Sequence, residues 1–114
     1  MNNRIRVAMV DDHLLFRKGI EAILTASDNI DVVLSTAAGD ELLNWLSTNP
    51  KKTDVVMLDI EMPGMNGIQI TEQLHSRYPD LRIIILSMHF RENLIAGLVE
   101  KCVHCFLPKN SEPE

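Results

Sequence analysis

"VVMLDIEMPGMNG", Val55 to Gly67, runs four apolar residues into a single carboxylate and then breaks into Met-Pro-Gly. A strand tip has no need of an acid. Either Asp59 is incidental loop polarity or the strand exists to hold that carboxylate in place. Three further runs, Val7 to Val10, Val32 to Leu34 and Ile83 to Leu86, are likewise apolar at consecutive rather than alternate positions. Consecutive apolar residues predict strands covered on both faces. A weaker fifth run, His104 to Leu107, precedes Pro108, which cannot donate a ladder hydrogen bond, so this strand is expected at a sheet edge.

Helical spacing fills the intervals. Phe16, Ile20, Ile23 and Leu24 share one face, as do Leu42, Leu43 and Leu46, then Ile70 and Leu74, then Leu94, Ile95 and Leu98. Pro50 and Pro79 stand where the second and third helices should already have ended. Regular alternation of strand and helix implies parallel strands, right-handed crossovers and helices on both sheet faces, a doubly wound α/β domain. With 114 residues, 46% of them hydrophobic, the chain is expected to be one domain over residues 1–114. At its end Ser111 and Glu114 have capping-box spacing with Pro113 between them, which announces a fifth helix and leads us to expect a chain truncated before or within that helix.

Composition excludes several function classes. A net charge of -5 leaves no basic stripe for phosphate backbones, so no direct nucleic-acid binding is expected of this domain. No apolar run approaches the roughly 20 residues of a membrane span, and no secretory leader opens the chain, so a cytoplasmic location is expected. Two cysteines, Cys102 and Cys105, are too few for a disulfide scaffold and read as free thiols.

Ligands of open parallel sheets sit beyond the carboxyl ends of the strands, near the point where the winding reverses. Asp11 and Asp12 follow the first run directly and Asp59 follows the third, so adjacent first and third strands would gather three acids. Two carboxylates about 5 Å apart repel by roughly 3 kcal/mol at an effective dielectric near 20, a cost that a divalent cation offsets. Oxygen ligands favour Mg²⁺ or Mn²⁺, and Mg²⁺ commonly binds phosphate together with one or two carboxylates. Ser87 at the end of the fourth run and Lys109 after the fifth add a hydroxyl and a point charge suited to a phosphoryl oxygen.

Together "VDDHLLFRKGI" (10–20), "MLDIEMPGMNG" (57–67), "IIILSMH" (83–89) and "FLPKNS" (106–111) resemble a response-regulator receiver domain of the CheY-like kind, the first stretch most closely the NarL/FixJ subfamily. The resemblance implies a flavodoxin-like, five-stranded sheet of order 2-1-3-4-5. It makes Asp59 the acceptor of a phosphoryl group from a sensor histidine kinase. Asp12, Asp59 and the backbone carbonyl of Glu61 would bind Mg²⁺, Asp11 would act through water, and Lys109 would pair with Asp59. Ser87 would move toward the phosphoryl oxygen and open space for Phe106 to rotate, the switch that reaches the surface. Glu61 and His89, each two residues past a strand end, would flank the phosphoryl group and tune its hydrolysis. A helix-turn-helix output domain outside this chain and a phosphorylation-dependent homodimer are the partners so implied. Three departures stand out: Phe106 has no hydroxyl, Asn110 follows Lys109 where receivers often have proline, and Cys102 and Cys105 replace common glycines.

Blander readings compete. Asp11 and Asp12 suit a turn and helix N-cap, Gly64 and Gly67 suit backbone turns, and His13, His75 and His104 read as surface or loop residues. As whole-chain alternatives, a stand-alone receiver would act through protein partners. A small Mg²⁺-dependent phosphohydrolase would use Asp59 as a nucleophile that turns over, with Glu61 as acid.

Overall fold

The computed structural model describes residues 4–59, 67–87 and 105–108. Strand β1 (Ile5–Val10) leads to helix α1 (Leu14–Thr25), then β2 (Ile30–Thr36), α2 (Gly39–Thr48), β3 (Val55–Asp59), α3 (Gly67–Arg77), β4 (Arg82–Ser87) and β5 (Cys105–Pro108). All pairings are parallel, in the order β2-β1-β3-β4-β5. The sheet therefore has the expected reversal between β1 and β3. β5, with its proline, lies at one edge.

The two sheet faces carry separate cores. On one, Ala8, Val10, Val56, Leu58, Ile83 and Ile85 pack with Leu42 and Leu46 of α2 and Leu74 of α3. On the other, Val7, Met9, Met57 and Leu86 meet Phe16, Ile20 and Leu24 of α1. Each fully buried Leu or Ile contributes about 1.5–3 kcal/mol relative to an exposed one, so the central strands anchor the domain. Double coverage holds for β1 and β3, but β2 is only half-covered along most of its length because an edge strand has a neighbour on one side.

Ile23 departs from the expected α1 face and is 68% exposed. The covered stripe is rotated toward Arg17 and Glu21, whose side chains are 13% and 23% exposed, and Glu21 reaches Ser35 of β2. Polar contacts, invisible to a hydrophobic count, decide which way the helix faces. The expected fourth-helix face at Leu94, Ile95 and Leu98 lies outside the described residues, as do Ser111, Pro113 and Glu114.

At the amino ends of the strands, Arg6 of β1 clasps Asp54, just ahead of β3, with guanidinium contacts of 3.1 Å to each carboxylate oxygen and a backbone N–H donated at 2.8 Å. These hydrogen bonds, side chain first, hold the Asp54 carboxyl below its usual range. A lowered folded value means stability present above the ordinary value near 4 and lost as the pH falls through the folded one. Both side chains are about two-fifths exposed, so screening keeps the contribution small. Asp54→Ala is expected to lower the urea midpoint at pH 7, with the gap to wild type closing as the pH falls below the ordinary carboxylate range.

Candidate functional site

Asp11, Asp12 and Asp59 come together beyond the carboxyl tips of β1 and β3. The strands pair through Val10 and Leu58, so the residues that follow each are neighbours. Asp59 ends β3 as a full sheet member, opposite Leu86 of β4, and is wholly buried. Asp11 is equally buried, and its N–H donates to the Thr36 carbonyl at 3.0 Å, which ties the acidic turn to the tip of β2. Asp12 is exposed.

The turn reading of these acids is partly right. Asp11 Oδ1 accepts the His13 backbone N–H at 2.8 Å, a short local bond that shapes entry into α1. The N-cap is His13, however, and it makes no side-chain cap. Arg17, one turn into the helix, donates from its guanidinium to the Asp11 carbonyl at 2.7 Å and from its backbone to the His13 carbonyl at 2.9 Å. The segment is thus held from both sides.

His13 is the residue that sequence reasoning missed. Its surface placement holds, since the side chain is half exposed, yet Nδ1 lies 3.1 Å from Asp11 Oδ1, 3.4 Å from Asp12 Oδ1 and 3.6 Å from Asp59 Oδ2. One ligand atom from each of the four residues falls within 4.8 Å of all the others. The available signal was adjacency: a histidine directly after an Asp-Asp pair shares its turn.

This donor set fits a small divalent cation. Carboxylate oxygens are hard ligands, two of the three acids are buried, and the exposed third leaves a path from solvent. Ser87 is the last residue of β4 and pairs in register with Pro108 of β5, which puts its backbone one residue beyond the partner of Asp59. Phe106 lies in β5 opposite Ile85. The side chains of Ser87, Phe106 and Cys105, and all of Glu61, His89, Cys102 and Lys109, lie outside what the structure describes.

Fold and acidic cluster define a receiver, and comparison with known proteins agrees. Residues 7–114 match the response regulator receiver domain family. The chain belongs to that family. The transcriptional regulatory protein DegU of Brevibacillus brevis is 32% identical over 98% of this chain and 47% of its own length. The signal receiver domain of NarL from Mycobacterium tuberculosis superposes with a TM-score of 0.84 at 30% identity, over 96% of this chain and 87% of that one. A chain of the CheX–CheY–BeF3–Mg²⁺ complex from Borrelia burgdorferi gives 0.86 at 26% identity, over 95% of this chain and 80% of that one. The chain spans about half the length of the curated relatives it matches. No helix among the described residues is long and apolar enough to cross a membrane.

Proposed function

We propose that this domain accepts a phosphoryl group on Asp59 from the phosphohistidine of a sensor kinase in the cytoplasm, and so controls a DNA-binding output domain outside this chain. The convergence of Asp11, Asp12 and Asp59 at adjacent strand tips carries the reading. An Asp59 oxygen attacks phosphorus in line, the bond from phosphorus to the kinase imidazole nitrogen breaks with its electron pair on nitrogen, and an acyl phosphate forms. Burial at the end of a strand paired on both sides holds the attacking oxygen still, which lowers the entropic part of the barrier.

Asp12, Asp59 and the Glu61 carbonyl would hold Mg²⁺ or Mn²⁺, with Asp11 acting through water; the ion neutralises charge on the phosphoryl oxygens. Lys109 is assigned to Asp59 and then to the phosphoryl group, and Ser87 and Phe106 to the switch, on the family resemblance. A regulator of transcription is favoured over a stand-alone receiver by the name and length of the DegU relative.

Wild-type protein incubated with acetyl phosphate and Mg²⁺ is expected to gain one hydroxylamine-sensitive phosphoryl group, read by mass spectrometry. Continued phosphate release far beyond one equivalent would favour a hydrolase instead. Glu61 and His89 are proposed to restrict the attacking water. Replacing both by alanine is expected to speed loss of phosphate several-fold, and an unchanged or slower rate removes them from that role.

A further inference from the structure

We infer that His13 is a nitrogen donor to the ion held by the acidic cluster, which turns an all-oxygen site into a mixed one with raised preference for later transition ions such as Co²⁺ over Mg²⁺. The inference rests on the reading of Asp11, Asp12 and Asp59 as a divalent-cation site.

Spacing is the first argument. Neighbouring ligands of an octahedral ion bound at about 2.1 Å stand about 3.0 Å apart. His13 Nδ1 lies 3.1 Å from the Asp11 oxygen and 3.4 and 3.6 Å from those of Asp12 and Asp59, the two acids assigned as direct ligands, so the nitrogen stands within about 0.6 Å of a neighbouring ligand's spacing. A ring that merely bonded to Asp11 would need only the first of these.

Anchoring is the second. The His13 backbone is fixed on both sides, its N–H by Asp11 Oδ1 and its carbonyl by the Arg17 N–H, while the Arg17 guanidinium holds the Asp11 carbonyl. Acid and imidazole therefore move as one turn, and the order-disorder cost of gathering the ligands is small. Half exposure of the ring keeps the approach open to a hydrated ion.

The chemistry then sets selectivity. Mg²⁺ takes oxygen ligands, whereas imidazole nitrogen suits later first-row ions, whose affinities rise along the Irving–Williams order. One nitrogen should widen the gap between Co²⁺ and Mg²⁺ without abolishing Mg²⁺ binding.

Two measurements on the intact chain at pH 8 test this. Pulsed EPR of the Mn²⁺-loaded wild type is expected to show coupling to a histidine ¹⁴N that disappears in His13→Gln. Calorimetric titration is expected to show Co²⁺ affinity falling about tenfold in that variant while Mg²⁺ affinity changes less than about twofold. Bound Mn²⁺ without nitrogen coupling, coupling that persists in His13→Gln, or equal losses for both ions would each overturn the role of His13 alone. Failure of every ion to bind wild type, or binding unaffected by Asp59→Asn, would instead overturn the cation site on which the inference rests.

Discussion

Asp59→Asn is expected to lower phosphoryl uptake from acetyl phosphate by at least about 100-fold, to background in mass spectrometry, with the fold retained. The amide is nearly isosteric with the acid, but its oxygen carries no full charge and cannot form an acyl phosphate. Asp59 is wholly buried at the end of a central strand, so the same substitution leaves a neutral hydrogen-bonding group in a well-packed place rather than a hole. Near-wild-type circular dichroism together with loss of the adduct is the expected pair of results. An adduct of undiminished yield in the variant would move the acceptor to another residue.

Asp11→Asn should change stability in opposite directions with and without Mg²⁺. Asp11 and Asp59 are both fully buried and belong to a cluster whose ligand atoms lie within 4.8 Å. At an effective dielectric near 20, removing one such charge relieves roughly 3 kcal/mol of repulsion from its neighbour. Asparagine keeps an oxygen able to accept the His13 N–H, so the local turn is preserved. In EDTA the variant is expected to withstand more urea than wild type. With Mg²⁺ in excess the order should reverse, because an ion that binds only the folded form adds stability as RT ln(1 + [Mg²⁺]/Kd), and loss of the Asp11 charge raises Kd. A variant that is weaker in both conditions would make Asp11 a structural acid.

Much of the site was legible because strand, acid and turn are consecutive. Val7 to Val10 followed by Asp11, and Val55 to Leu58 followed by Asp59, each tie chemistry to a strand end, and the strand order implied by the receiver resemblance makes the first and third strands neighbours, as they are. β5 at the edge was legible for the same reason, through Pro108. What escaped is side-chain geometry across space. The clasp of Arg6 on Asp54 joins residues 48 apart with no local pattern to announce it. His13 differs from any loop histidine only in where its ring turns, and the rotation of α1 away from Ile23 follows from Arg17 and Glu21 facing the sheet. Periodicity counts apolar residues and is blind to such polar anchors.

Helix α1 contains no fully buried residue, whereas α2 and α3 each contain three. Its grip on the sheet is a row of half-covered side chains, Phe16, Ile20 and Leu24. Lifting it would leave the opposite core intact, so the free energy needed to detach this helix is a fraction of that for global unfolding. The helix that borders the acids is therefore expected to yield at lower cost than the β1–β3 platform that aims the carboxylate, with its amides exchanging hydrogen sooner than those of the two strands.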